Sequence, residues 1–266
     1  MLTPIYLYLT KNDMRFKGNW AFAIIISILS ITNFGCHKAD IPYGKFENGA
    51  IAFTFDDHFI DNWYRYLPLL DSLQIKATFY ISHYHRFSDD QKSKLHTIEA
   101  HGHEIAYHTA SHPDLVKEVK KKGMAVVIRD EIERNLHQMK RDGFDVNNFA
   151  YPFGAYDACL NTSLLRMFKS VRCVTNRQNF ERGFVGQSGE QQVYFGVPVD
   201  MNAALDDAKI TEFIGTAKER HDCLILFAHQ IQRENVAYQI SVDRIKLIAR
   251  EAAAKGIKFV RIKDIQ

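Results

Sequence analysis

The stretch Ala50–His58, AIAFTFDDH, decides the fold and raises the question of chemistry. Its first six residues are apolar or small, without alternation, which is typical of a strand that is buried on both faces of a parallel sheet. The strand ends on Asp56 and Asp57, two adjacent carboxylates. Because like charges repel, one of them should resist ionisation unless a cation lies beside the pair. The pair is either a solvated turn or helix cap, or it binds a metal.

Around this stretch, apolar strand-like runs alternate with amphipathic segments along the chain. This alternation predicts a parallel α/β sheet in a single domain, either doubly wound or closed as a barrel. No glycine-rich loop of the nucleotide-binding type follows the first strand, so no nucleotide is expected. The predicted strands are 50–55, 76–82, 104–107, 148–151, 171–175, 195–199, 224–228 and 258–261, and the predicted helices are 61–73, 89–100, 127–141, 158–168, 206–220 and 242–254.

The N-terminal segment 1–36 is predicted to be a signal peptide rather than part of the fold. From a possible start at Met14, a short basic region precedes an apolar run over 21–31 that is too short for a comfortable membrane span. The run ends on Gly-Cys and resembles a bacterial lipoprotein signal, so we expect lipidation at Cys36, export, and a lipid-anchored place in the cell envelope. An ordinary cleaved signal and an uncleaved anchor are the alternatives. A linker over 37–48 then leads to the folded domain, which is predicted over 49–266.

Charge and cysteine content exclude two further classes of function. A net charge of +3, without a Lys/Arg stripe carrying interleaved aromatic residues, argues against nucleic-acid binding. After Cys36, three cysteines remain, without CxxC spacing, so no cysteine metal site is predicted. Cys159 and Cys173 are able to pair in an oxidising compartment, but the sequence leaves this open.

The segment HTASH places His108 and His112 four residues apart. On a helical turn, this spacing puts both imidazoles on one face, where they can bind one ion. Together with one carboxylate of the Asp pair they make two histidines and an aspartate, a common catalytic zinc set with positions open for water. The second carboxylate is then free to act as general base. Alone, an HxxxH pair is a weak signal.

Further polar groups follow other predicted strands, at the sheet edge where parallel α/β enzymes collect their reactive residues. His229 ends the apolar run LILFA and is either a buried core histidine or a general acid. The turn Pro152-Phe153-Gly154 follows the fourth strand. Such a turn either exposes a backbone N–H to a developing oxyanion or is a plain strand-to-helix connection.

Taken in order, these motifs resemble the polysaccharide deacetylase family, the NodB-like group known as carbohydrate esterase family 4. The family's TFDD motif corresponds to Thr54–Asp57, and its H-[ST]-x-x-H motif to His108–His112. Its R-x-P-x-G motif corresponds to Ala150–Gly154, and its Leu-x-His strand end to Phe227–His229, with Leu226 one position earlier than the family's leucine. The order and spacing cover the chain from about Asn48 to the C-terminus.

The resemblance implies a distorted (β/α) barrel and a divalent metal, commonly Zn²⁺. It implies the role of general base for Asp56 and of metal ligands for Asp57, His108 and His112. It likewise implies that His229 is the general acid. It implies that the Phe153 backbone N–H donates to the oxyanion, and Tyr151 is grouped with Phe153 as a residue facing the substrate.

Two departures from the family pattern concern supporting residues. Ala150 stands where the family has an arginine that orients the catalytic aspartate, and Arg172 on the next strand is a candidate substitute. The tryptophan-rich fourth motif is absent, and Asp200 in its segment is a candidate partner for His229. The expected activity is removal of N-acetyl groups from an acetylated polysaccharide. The alternatives are O-acetyl ester hydrolysis, as on xylan, and a non-catalytic glycan-binding lipoprotein.

Overall fold

The computed structural model describes residues 46–186, 192–203, 205–232 and 237–266. The predicted signal segment 1–36, with Cys36 and the possible start at Met14, and most of the linker 37–48 lie outside the described residues. Their boundaries stay predictions. None of the helices in the described ranges combines the length and the apolar character that a membrane span requires.

The strands form a closed barrel. Their bounds are β1 (Ala50–Asp57), β2 (Thr78–Ile81), β3 (Glu104–Tyr107), β4 (Asn148–Ala150), β5 (Ser170–Val174), β6 (Phe184–Val185), β7 (Val193–Pro198), β8 (Cys223–Ala228), β9 (Gln230–Gln232), β10 (Gln239–Ser241) and β11 (Lys258–Val260). Strands β1, β2, β3, β4, β5, β7 and β8 pair in parallel in that order, and β8 pairs again with β1. This closure confirms the predicted (β/α) barrel and rules out the doubly wound sheet.

Helices follow most of the barrel strands and cover the outside of the barrel. Their bounds are α1 (Ile60–Ser72), α2 (Asp89–Ala100), α3 (Leu115–Lys122), α4 (Met124–Val127), a π-helix (Ile128–Glu133), α5 (Arg134–Arg141), α6 (Ala158–Leu164), α7 (Asp207–Arg220) and α8 (Val242–Lys255). Alternate residues of β1 pack into two different parts of the hydrophobic core. Ile51, Phe53 and Phe55 join the core between barrel and helices, whereas Ala50 and Ala52 join the core inside the barrel.

The floor of the barrel, at the amino ends of the strands, is closed by a buried polar network. Glu104 Oε2 accepts hydrogen bonds from Thr78 Oγ1 (2.8 Å) and the Lys263 backbone N–H (3.0 Å), and its Oε1 accepts from Asn148 Nδ2 (2.5 Å). Burial raises the pKa of the Glu104 carboxyl despite these donors. Because its polar atoms are paired with one another, this network closes the floor, and the reactive groups collect at the opposite end.

The differences from the predicted elements are local. Helix α3, with its N-cap Asp114 accepting from the Lys117 N–H, is not among the predicted helices. The helix predicted over 127–141 begins earlier, at Met124, and contains the π-helical turn. Strands β6, β9 and β10 are two or three residues long, too short to show a periodic pattern. Cys159 is exposed and Cys173 is buried, and the two are not joined as a disulfide.

Candidate metal centre

Asp56 and Asp57 end strand β1 with different backbone conformations. Asp56 is buried inside the barrel, as the alternation along β1 requires. Asp57 has a φ of 92°, which L-residues rarely adopt, while its carbonyl still accepts from the Ser82 N–H at 2.9 Å. The strand pairing therefore persists while the Asp57 backbone leaves the extended conformation. Both neighbouring carboxylates line the same cavity, where a regular strand would direct them to opposite faces.

Asp57, His108 and His112 form a group able to hold a metal ion. Asp57 Oδ1 lies 3.7 Å from His108 Nε2 and 3.1 Å from His112 Nε2, and the three ligand atoms lie within 4.8 Å of one another. Tetrahedral zinc with bonds of about 2.0–2.1 Å needs ligand atoms about 3.3 Å apart. The set fits such an ion with small side-chain adjustments, and within the described residues it is the group that offers three ligands.

His108 is prepared as a neutral ligand. Its Nδ1 lies 2.8 Å from the Ala150 carbonyl oxygen, which accepts a hydrogen bond from Nδ1–H. The lone pair is then on Nε2, which faces Asp57 and His112. Burial lowers the pKa of His108 to about 4, against the opposing effect of Asp56 and Asp57, so the ring is uncharged at neutral pH. A neutral imidazole held by its second nitrogen is the form that binds a metal ion.

The HTASH segment is a loop, so the predicted helical turn is wrong. Thr109 and His112 have φ values of 73° and 58°, and the His112 N–H donates to Thr109 Oγ1 at 3.0 Å. The loop is held by Glu131, whose carbonyl accepts from the Ala110 N–H (2.9 Å). The two Glu131 carboxylate oxygens accept from the Ser111 N–H (2.9 Å) and Oγ–H (2.7 Å). Glu131 lies in the π-helix, a helical form that often marks functional positions.

Asp56 is paired with Arg172, the candidate substitute for the family arginine. The Arg172 Nη2 donates to Asp56 Oδ2, and both side chains are buried. The guanidinium lies over the rings of Tyr80 (5.1 Å) and Phe227 (4.9 Å). Although burial raises the pKa of Asp56, the charge and hydrogen bond of Arg172, together with His229, more than offset it and lower the pKa. Oδ1 of this carboxylate has no hydrogen-bond partner in the described part of the chain.

His229, immediately after β8, is held by Asp200. Asp200 Oδ2 lies 2.5 Å from His229 Nδ1, and Asp200 Oδ1 accepts from the His229 N–H at 3.2 Å. The Trp63 Nε1–H donates to the His229 carbonyl at 2.9 Å. Burial lowers the pKa of His229, but the hydrogen bond and charge of Asp200, with Asp56 and Asp57, outweigh it and raise the pKa. With Nδ1 bound to Asp200, Nε2 is the ring nitrogen that stays available, and His229 lines the cavity.

The turn after β4 contributes a residue to the same cavity, Phe153, whose backbone N–H is available to a ligand. Phe153 has a φ of 58°, lines the cavity, and among the described residues its N–H has no hydrogen-bond acceptor. The next residue is a glycine, Gly154, and a larger residue would not fit there, because its Cβ would lie 2.6 Å from Val174 Cβ. Tyr151 also lines the cavity, but its hydroxyl donates to Asn161 Oδ1 at 2.8 Å. Its predicted contact with the substrate stays a prediction.

Cys36 lies outside the described residues, and the other predicted site residues, except the supporting Arg172 and Asp200, surround one cavity of about 360 Å³. Both supporting residues bind a cavity residue, Asp56 and His229 respectively. Sequence reasoning missed Tyr238, which lies in the connection between β9 and β10, as well as the apolar wall and Glu131. No motif marks any of these positions. The lining residues are Asp56, Asp57, His108, His112, Tyr151, Phe153, Val174, Phe227, His229 and Tyr238.

Comparison with known sequences gives one family. Residues 43–167 match the family model described as polysaccharide deacetylase. The matched segment contains the TFDD, HTASH and AYPFG motifs, so the recognition made from these motifs is confirmed. No curated protein is similar enough in sequence to count as a match.

Solved structures of similar fold include carbohydrate esterases and deacetylases. A family 4 carbohydrate esterase from Streptococcus mutans has 15% identity and a TM-score of 0.56 over 82% of this chain and 87% of that one. A chitin deacetylase from Colletotrichum lindemuthianum has 16% identity and a TM-score of 0.53 over 82% and 87%. The catalytic domain of a peptidoglycan N-acetylglucosamine deacetylase from Eubacterium rectale has 17% identity and a TM-score of 0.51 over 82% and 90%. At these identities the likeness concerns the fold.

Because Glu131 fixes the HTASH loop by hydrogen bonds, we predict that its removal weakens metal binding. In Glu131→Ala the two acceptors for Ser111 are lost, so His112 is less well positioned and the affinity for Zn²⁺ should fall about 10–100-fold, as for other residues that orient metal ligands. Isothermal titration of the metal-free protein with Zn²⁺ measures this. Glu133→Ala, in the same π-helix, is the matched control and should retain wild-type affinity. Equal affinities in both variants would contradict the role of Glu131.

Proposed function

Because residues 43–167 belong to the polysaccharide deacetylase family, we propose that the chain is a metal-dependent hydrolase that removes N-acetyl groups from an acetylated glycan. The substrate class is a polysaccharide containing N-acetylglucosamine, or peptidoglycan. The observation that carries the proposal is the convergence of Asp57, His108 and His112 beside the buried carboxylate of Asp56.

Asp57, His108 and His112 would hold a divalent ion, and two imidazoles with one carboxylate favour Zn²⁺. When bound, such an ion acts as a Lewis acid toward the acetyl carbonyl and toward water. The chain's own part is to keep His108 neutral by burial and to fix its tautomer through the hydrogen bond to the Ala150 carbonyl. Within the described residues the group offers three protein ligands, so it would leave a coordination position for water or substrate.

Asp56 is the general base in this proposal. Arg172 occupies Oδ2 and keeps the carboxylate ionised, so the unpartnered Oδ1 is the atom that accepts the proton of the attacking water. The acetyl carbonyl carbon gains the water oxygen, and its own oxygen becomes negative. The N–H of Phe153 donates a hydrogen bond to that oxygen, which stabilises the tetrahedral species.

His229 is the general acid. The C–N bond breaks as Nε2 of the protonated ring gives its proton to the leaving nitrogen, so the products are acetate and a free amine on the sugar. Asp200 holds the ring by Nδ1 and favours its charged form. An amine leaves poorly without a proton, so a histidine whose charged form is favoured by Asp200 suits amide hydrolysis.

Export and attachment to the cell envelope through a lipid at Cys36 belong to the same proposal. They are supported by the basic and apolar segment that precedes Gly35-Cys36. An enzyme for envelope polysaccharides needs to meet its substrate outside the cytoplasm. Mass spectrometry of the mature N-terminus tests this part: an acylated Cys36 supports it, and a mature chain that begins at another residue refutes it.

Catalytic activity is tested as acetate released from a panel of chito-oligosaccharides, peptidoglycan and acetylxylan. Asp56→Asn removes the base but leaves the metal ligands, so turnover should fall about 10²–10⁴-fold. Zinc content should stay at the wild-type level. The exposed Asp61→Asn is the matched control and should retain activity. Chelation of the metal should abolish acetate release, and added Zn²⁺ should restore it.

Other results of these measurements would indicate an alternative function or a wrong assignment of the base. Acetate from acetylxylan but not from the amide substrates would make the chain an O-acetyl esterase. Glycan binding without acetate release would make it a glycan-binding lipoprotein. Wild-type turnover by Asp56→Asn would show that the base is assigned wrongly.

The second prediction concerns pH. The raised pKa of His229 keeps the ring protonated, and the reaction active, further into the alkaline range than an unperturbed histidine would allow. Asp200→Asn weakens the interaction that raises this pKa, so the alkaline limb of the kcat/KM profile should move to lower pH. Asp243→Asn, an exposed residue in the first turn of α8, is the control. An unchanged alkaline limb in Asp200→Asn would contradict the general-acid role of His229.

A further inference from the structure

Tyr238 exposes an aromatic ring at the mouth of the cavity. It is one of four large apolar side chains that stay exposed in the described residues, with Tyr64, Phe153 and Tyr156. Tyr238 is 65% exposed and Phe153 is 70% exposed, and these two line the cavity. Both have a left-handed backbone, with φ of 56° and 58°. An exposed ring on an unfavourable backbone is a reason to look for a function, because neither feature stabilises the fold.

The backbone around Tyr238 is fixed from two sides. The Tyr238 N–H donates to Asn202 Oδ1 at 2.9 Å, and the Tyr238 carbonyl accepts from the Gln230 N–H at 3.4 Å. The next residue, Gln239, accepts from the Met201 N–H at 2.8 Å. The turn that contains Asp200 therefore also holds Tyr238. Its ring meets the His229 imidazole edge-on, with centroids 5.7 Å apart and an interplanar angle of 89°.

The two exposed rings lie beside different catalytic groups. The Phe153 ring meets the His112 imidazole at 4.8 Å, on the side of the metal ligands, and Tyr238 lies beside the general acid. In the proposed reaction, the acetyl group faces the metal ligands and the leaving nitrogen faces His229. The sugar carbon bonded to that nitrogen must therefore lie on the His229 side of the cavity, where Tyr238 is exposed.

We propose that Tyr238 is the platform on which the pyranose ring of the reacting sugar packs, an inference that rests on the proposed function. The face of a pyranose is rich in C–H groups and is complementary to the apolar face of an aromatic ring, while its hydroxyl groups remain at the edge, in water. Tyr238 thereby sets the specificity for an acetylated sugar rather than for acetyl groups in general.

The rival role of Tyr238 is to cover His229 and exclude water from it. The two roles differ in their kinetic signatures. Loss of a platform raises KM for the glycan and leaves the pH profile in place, because His229 and Asp200 are untouched. Loss of a cover changes the environment of the imidazole, so it moves the alkaline limb of the profile.

The test compares Tyr238→Ala, Tyr238→Leu and Tyr238→Trp on the best glycan of the panel, tetra-N-acetylchitotetraose in the first instance. The Ala and Leu variants lack an aromatic face, so KM should rise about tenfold, the scale of an aromatic contact, while kcat changes by less than about threefold. The Trp variant keeps a face and should stay within about threefold of the wild-type KM. Tyr64→Ala, an exposed tyrosine that is not among the cavity-lining residues, is the control for loss of a surface aromatic.

Three results overturn the inference and leave the proposed function standing: an unchanged KM in Tyr238→Ala, an equal loss in the Trp variant, or a shifted alkaline limb at constant KM. If the wild-type protein releases no acetate from any glycan of the panel, the proposed function itself fails, which is a different result.

Discussion

Two adjacent carboxylates at the end of a buried strand are the constraint on which the site depends. Two unit charges about 4 Å apart interact by about 4 kcal/mol at an effective dielectric constant of 20, so the pair at Asp56 and Asp57 needs positive charge on both sides. Arg172 supplies it for Asp56 from within the barrel. For Asp57, the neighbours are His108, which is uncharged, and His112. Among these three side chains there is a group of ligand atoms able to hold a cation.

The barrel divides its polar residues between two ends. At the floor, Glu104, Thr78 and Asn148 satisfy one another. At the other end, polar atoms such as Asp56 Oδ1 and the Phe153 N–H are left without partners in the described chain, and both belong to residues that line the cavity. Satisfied polar groups stabilise a fold, whereas unsatisfied ones that converge on one cavity are available to a substrate.

Much of the fold and the reactive residues could be predicted from the sequence, because strand period and strand-end residues are local signals. The strand over Glu104–Tyr107 and the helix over Asp89–Ala100 agree with their predicted bounds. The HTASH conformation could not be predicted, since left-handed backbone at Thr109 and His112 depends on contacts with Glu131, about twenty residues away. Arg172 was a candidate by position alone, because its pairing with Asp56 depends on the register across the barrel. Tyr238 belongs to no motif, and only its location beside His229 marks it.

The coordination of zinc in the loaded protein tests the central claim most directly. Zinc-edge X-ray absorption on wild-type protein should give one ion per chain, with two imidazole nitrogens and oxygen ligands at about 2.0–2.1 Å. The His112→Ala variant should show one imidazole fewer in the zinc that it retains. A wild-type protein that holds no stoichiometric metal, or a coordination sphere unchanged in His112→Ala, would contradict the account, because Asp57, His108 and His112 would then not share an ion.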